Sequence, residues 1–157
     1  MINELKVILN KNLKTISVAE SLTGGNLQAL LSSVNGSSTF YLGGITAYNI
    51  DIKDKFFEID YEKAKECDCV SKEVSLAMAK GVSELFESDY SISTTGFAVS
   101  NDTVKIPYAY ICFFDRNEQI FEIEEVKSPY EMSRIEFQKY LSEFAIKNFL
   151  NKFLGGI

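Results

Sequence analysis

The chain has 157 residues, 46% of them hydrophobic and 24% charged, with a net charge of −6 and no histidine. That length suits a single domain, 1–157, with a core large enough to need no staples. The acidic balance argues against nucleic acid as the main partner, because phosphate neutralisation needs a basic face, but it leaves room for a local basic pocket for one small anion.

In chain order, Leu5, Ile8, Leu9 and Leu13 fall at helical spacing and predict an opening helix over 3–13. This N-terminal stretch carries charge throughout and lacks the continuous apolar segment of a signal peptide. Thr15 to Ala19 alternates and reads as a strand, and Leu27, Leu30, Leu31 and Val34 then give one apolar helix face. Asn35-Gly36-Ser37-Ser38 ends that helix with turn chemistry. Residues 39–48 read as a buried strand interrupted by Gly43-Gly44, and 51–57 as a short helix.

Cys67-Asp68-Cys69 follows, and Cys112 makes the count three. An odd number without a ladder of spacings fits a reducing, cytoplasmic setting better than a disulfide framework. With no second pair and no histidine, these residues predict no metal site. Ser71 caps a longer helix in which Val74, Ala77, Met78, Gly81, Val82 and Leu85 share a face. Residues 90–95 read as a strand, and Pro107–Phe114 and Gln119–Val126 as a hairpin around Asp115-Arg116-Asn117-Glu118. Pro129 is expected to open a last helix with Phe137, Leu141, Phe144, Ala145 and Phe149 on one side and Ile146 and Leu150 on another. So broad an apolar surface fits either a second subunit, hence a homo-oligomer, or a crowded core. No apolar run approaches the ~18 residues of a membrane span, so no membrane partner is expected. The order of elements predicts an α/β fold, a three-layer α/β/α sandwich with a mixed β-sheet.

The most chemical stretch is the strand–turn–helix at 15–34, around Glu20-Ser21-Leu22-Thr23-Gly24-Gly25. A helix N-terminus offers unpaired amides, and glycines let a ligand approach the backbone. The same residues also fit a plain turn in which Thr23 caps the helix. If Ser21 is a nucleophile, its proton acceptor is a carboxylate or a neutral lysine, since no histidine is present. Lysine serves only if desolvation or nearby positive charge lowers its pKa. Lys53 follows the glycine-bearing strand and precedes Phe56-Phe57, an apolar wall in sequence. Tyr48 lies at a strand end, where α/β sheets place ligands. Thr94-Thr95-Gly96 ends another strand with hydroxyls, and Arg134 is an available anion binder.

Taken together, four blocks resemble one family. Ala19-Glu20-Ser21-Leu22-Thr23-Gly24-Gly25 is similar to the AES-C/L-TGG motif of the CinA C-terminal domain family, the nicotinamide-nucleotide amidohydrolases. Gly36-Ser37-Ser38 with Tyr41 to Tyr48, the Val70–Val82 helix, and Thr95-Gly96 resemble its later blocks in the same order. The resemblance implies a cytoplasmic enzyme that hydrolyses the carboxamide of nicotinamide mononucleotide, with no cofactor and no metal. It implies a stand-alone form, since 157 residues do not hold the second, molybdopterin-binding-like domain of longer members. Position by position it implies Ser21 as nucleophile, Lys53 as base and Tyr48 as an assisting hydroxyl. It also implies Thr23, Gly24, Gly25, Thr95, Gly96 and Arg134 as substrate-binding residues.

The chain departs from the family around the implied pocket. Where the family carries a proline and a glycine run, residues 96–107 read GFAVSNDTVKIP. Asn49-Ile50 replaces Ser-Asn, and Gln138 stands where a second arginine is expected. Fewer backbone amides for an anion make a diverged nucleotide-binding protein with little turnover the alternative expectation.

Overall fold

A computed structural model describes residues 1–156. Five strands, β1 (Ile16–Glu20), β2 (Tyr41–Thr46), β3 (Tyr90–Phe97), β4 (Tyr108–Asp115) and β5 (Ile120–Lys127), form one sheet in the order β2-β1-β3-β4-β5. β1 runs parallel to both of its neighbours, whereas β3–β4 and β4–β5 are antiparallel, so the sheet is mixed as predicted. Among the described residues six α-helices accompany it: α1 (Ile2–Lys11), α2 (Asn26–Ser32), α3 (Ile50–Phe57), α4 (Tyr61–Glu66), α5 (Lys72–Phe86) and α6 (Arg134–Asn148).

The helices cover both sheet faces. On one, Ile16, Val18, Ile92, Ile111 and Phe113 pack with Leu5 and Leu9 of α1, Leu27 and Leu31 of α2, and Phe137, Leu141 and Ala145 of α6. On the other, Ala19 packs with Phe57, Ala64, Val74, Met78 and Val82 of α3, α4 and α5. β1 lies inside the sheet, between β2 and β3, and all five of its residues are buried. The side chains β3 turns to α5 are hydroxyls rather than hydrocarbon. Ser91 and Ser93 donate to the Ala79 and Ser75 carbonyls, which satisfies these polar groups and lets the helix sit close.

Several boundaries differ from those expected. The last helix begins at Arg134 rather than at Pro129, because Ser133 and Glu136 form a reciprocal capping box. α4 is absent from the sequence expectation; six residues carry too little periodicity, and its start is set by Asp60 accepting from Lys63 N. β2 starts at Tyr41, after a 3₁₀ turn at Ser37–Thr39, and is half-buried because it forms a sheet edge. Much of the apolar surface of this last helix is covered within the chain: Ile146 of α6 and Leu150 just beyond it are buried in the main core, whereas Ile135 is exposed. No helix among the described residues is long and apolar enough to cross a membrane.

Candidate active site

Ser21 is the first residue beyond β1. Its amide donates to the Thr94 carbonyl at 3.0 Å, and its own carbonyl accepts from Gly24 N at 3.1 Å. The chain therefore leaves the sheet centre through a tight turn, with the serine at its start. Gly24 (φ +60°) and Gly25 (φ +98°) occupy the left-handed region that the reversal into α2 requires. The Thr23 hydroxyl shares a hydrogen bond of 2.7 Å with Thr94 and does not cap α2.

The cap is Glu20. Fully buried, its carboxylate accepts from the amides of Gly25 (3.0 Å), Leu27 (3.1 Å) and Gln28 (2.8 Å). The N-terminal amides of α2 are thus committed to a protein carboxylate rather than left for a substrate anion. Glu20 also drops out as a proton acceptor for its neighbour. Capping motifs place the acid at or within a few positions of the first helical residue, so an acid six positions before Asn26 carries no cap signal.

The turn is held by its carbonyls. Ser21 O accepts from Gly24, Leu22 O from Gln138 Nε2 at 2.9 Å, and Thr23 O from Asn26. Among the described residues, the amides of Leu22 and Thr23 donate to no acceptor in the chain. Of the two, Leu22 lines the cleft beside Ser21, whereas Thr23 is fully buried, so the Leu22 amide is the donor an oxyanion can reach.

Lys53 comes from α3, whose start is fixed by Asn49 accepting from Ile52 N at 3.0 Å. α3 lies tightly on α5: a Cβ added at Gly81 would meet Phe57 Cα at 2.9 Å, so only glycine permits this approach. The packing buries Lys53 to 2% exposure. Its Nζ lies 2.9 Å from Ser21 Oγ and donates to the Tyr48 carbonyl at 3.0 Å. It makes no ion pair with any carboxylate among the described residues. Burial without a counter-charge lowers its pKa below the ordinary 10.5. An uncharged amine so placed can accept the Ser21 proton while still donating to the carbonyl.

Both residues line a cleft of about 470 Å³, with Tyr48, Thr95, Gly96 and Arg134 also on its walls. Thr23, Gly24 and Gly25 do not line it; they shape the turn from behind. Tyr48 meets Lys53 through its carbonyl, while its hydroxyl, at the exposed mouth, accepts from Arg134 Nη1 at 3.3 Å. The Thr95 hydroxyl donates to Cys69 O at 2.7 Å, tying the turn before α5 to the end of β3. Cys69 also faces the cleft, but burial pushes its thiol up from 9.0, so it stays protonated and does not compete as nucleophile. In the 96–107 loop, Asn101 Oδ1 accepts from Thr103 N and Val104 N at 2.9 and 2.7 Å. Two of that loop's amides are thus spent on its own side chain.

A family model for the CinA C-terminal domain matches residues 1–153. The chain belongs to the CinA C-terminal domain family. CinA-like proteins from Prochlorococcus marinus and a Sulfurihydrogenibium species are 38% and 35% identical to it, over 84% and 88% of its length. The chain spans about a third of the length of these curated relatives (31% and 34%). Among solved structures, the competence damage-inducible protein A from Klebsiella pneumoniae superposes with a TM-score of 0.86 at 20% identity, covering 98% of this chain and 94% of that one. The competence/damage inducible protein CihA from Agrobacterium tumefaciens gives 0.86 at 22% identity, covering 95% and 91%. The CinA fold thus accounts for the layer order, and the Ser21–Lys53 pair sits at the C-terminal end of its central parallel strand.

Proposed function

We propose that this chain is a serine–lysine amidohydrolase acting on a small carboxamide, with nicotinamide mononucleotide as the substrate and nicotinate mononucleotide and ammonia as products. The observation that carries the reading is a buried lysine, without a counter-charge, 2.9 Å from Ser21 Oγ. Ser21 Oγ attacks the carboxamide carbon as its proton passes to Lys53 Nζ. The oxyanion of the tetrahedral intermediate takes the amide of Leu22, which lines the cleft, a contribution of ~3–4 kcal/mol in kcat for such a donor. Lys53 then gives the proton to the departing nitrogen, the C–N bond breaks and ammonia leaves. Water attacks the acyl-serine as Lys53 takes its proton, and Lys53 returns that proton to Oγ as the ester bond breaks, which releases the acid product and restores both the serine hydroxyl and the neutral amine.

Arg134, exposed at the mouth, suits the phosphate of a mononucleotide whose carboxamide reaches Ser21. The test is ammonia release from nicotinamide mononucleotide by wild type and by Ser21→Ala and Lys53→Met; a wild-type rate unchanged by both would overturn the mechanism. The second reading is a diverged nucleotide-binding protein, favoured by the 96–107 loop, whose Asn101 consumes amides that would serve an anion. It predicts thermal stabilisation by the nucleotide without ammonia release.

A further inference from the structure

Among the described residues Asp68 is the one acid that lines the Ser21–Lys53 cleft. It stands in the turn between α4 and α5, where Asp68 (φ +51°) and Cys69 (φ +60°) are two consecutive non-glycine residues in the left-handed region. The fold holds this costly backbone from several sides. Cys69 N donates to Ala64 O at 2.7 Å, Val70 N to Cys67 O at 2.9 Å, and the Thr95 hydroxyl to Cys69 O at 2.7 Å. Cys69 is buried, whereas Asp68 is exposed in the cleft. Among the described residues its carboxylate makes no ion pair, neither with Lys53 nor with Lys65, which lines the same cleft.

A carboxylate against Lys53 would keep the amine protonated, yet burial lowers the Lys53 pKa. Asp68 therefore stands beyond the reacting pair, along the part of the cleft that holds the non-reacting portion of a substrate. With a carboxamide at Ser21 and a phosphate at Arg134, that portion is a ribose, whose vicinal hydroxyls are donors. An acceptor-only carboxylate suits two such donors through charge-assisted hydrogen bonds, and it repels a phosphate. We infer that Asp68 is a specificity-determining residue that accepts hydrogen bonds from the ribose hydroxyls of a pyridine nucleotide. The inference rests on the reading of this cleft as a pyridine-nucleotide site.

The experiment compares nicotinamide mononucleotide with its 2′,3′-dideoxy analogue, which keeps the pyridinium, the carboxamide and the phosphate. Both are titrated by calorimetry into Ser21→Ala, which binds without turnover, with and without Asp68→Gly or Asp68→Asn. Ammonia release and kcat/KM are measured on the corresponding proteins that retain Ser21. Glycine accepts φ +51° without strain, so Asp68→Gly removes the carboxylate and leaves the fold intact. Ser21→Ala is expected to bind the nucleotide about tenfold or more tighter than the analogue. Asp68→Gly erases that preference by weakening the nucleotide alone. Asp68→Asn, which keeps one acceptor and tolerates the left-handed backbone, falls between, and kcat/KM follows the same order. Equal affinity of Ser21→Ala for both ligands, or equal weakening of both by Asp68→Gly as a pyridinium contact would give, overturns the ribose contact alone. Ribose-dependent binding without ammonia release keeps the contact and overturns the hydrolytic reading. No binding of either ligand overturns both.

Discussion

Lys53 Nζ and Ser21 Oγ lie 2.9 Å apart, although 32 residues separate them in the chain and they belong to different elements. Among the described residues Lys53 makes no ion pair, and its other partner is the neutral Tyr48 carbonyl. The pair is thus a hydrogen-bonded hydroxyl and amine rather than an ion pair, and it sits at the C-terminal end of β1, the middle of the three parallel strands.

Replacing Lys53 should separate stability from activity. Lys53→Met fills the same space with apolar atoms and removes a buried amine, so the unfolding free energy measured in urea should rise by roughly 1 kcal/mol. Amide hydrolysis should fall by ~10²–10⁴, the usual contribution of a general base. A variant both less stable and fully active would refute both halves.

The pH dependence follows from the lowered lysine pKa. Activity requires the neutral amine, so kcat/KM should rise with pH through one ionisation centred below 10.5, and this limb should vanish in Lys53→Met. Stability shifts in the same direction. Between the lowered folded pKa and the ordinary unfolded one, the unfolded chain binds more protons. The penalty for burying Lys53 is therefore full below the folded pKa and is relieved as pH rises through that window. Denaturation of wild type and Lys53→Met at several pH values should show the difference between them shrinking towards alkaline pH.

Glu20 should matter to folding first and to rate second. Glu20→Ala leaves three amides at the start of α2 without their acceptor, at a cost of about 1–3 kcal/mol. Glu20→Gln keeps one acceptor oxygen and should cost less. Because Ser21 is the next residue, kcat should follow the same order, measured well below each variant's unfolding midpoint.

Tyr48 and Arg134 should report on binding. Tyr48→Phe leaves the carbonyl that holds Lys53, so kcat should change by no more than a few-fold, while Arg134 loses its 3.3 Å contact. Arg134→Ala should raise KM for nicotinamide mononucleotide by about tenfold, the equivalent of 1.4 kcal/mol. It should leave hydrolysis of nicotinamide riboside, which lacks the phosphate, unchanged. An equal effect on both substrates would remove Arg134 from the phosphate site.

Much of the scaffold was legible in the chain. Alternating and helical periodicities placed the five strands and all helices except α4, whose six residues are too few to show a period. The hairpin was marked by Asp115-Arg116-Asn117-Glu118, where Asp115 Oδ1 accepts from the next amides. The Glu20 cap and the Gln138 grip were not legible, because each acts at a distance that no local motif measures.

The sequence by itself determined that a serine nucleophile here must find a lysine or carboxylate partner, since the chain contains no histidine. It also determined the α/β order and the block pattern that pointed to Ser21 and Lys53. Only the tertiary structure decided that Lys53 is buried, that Glu20 is spent on α2, and that Tyr48 orients the lysine through its backbone. The physical reason is that desolvation and hydrogen-bond competition belong to packing. The parallel β1–β2 register, with Glu20 opposite Thr46, and the close seat of α3 on Gly81 bring the amine to the hydroxyl and exclude the water that would keep it charged.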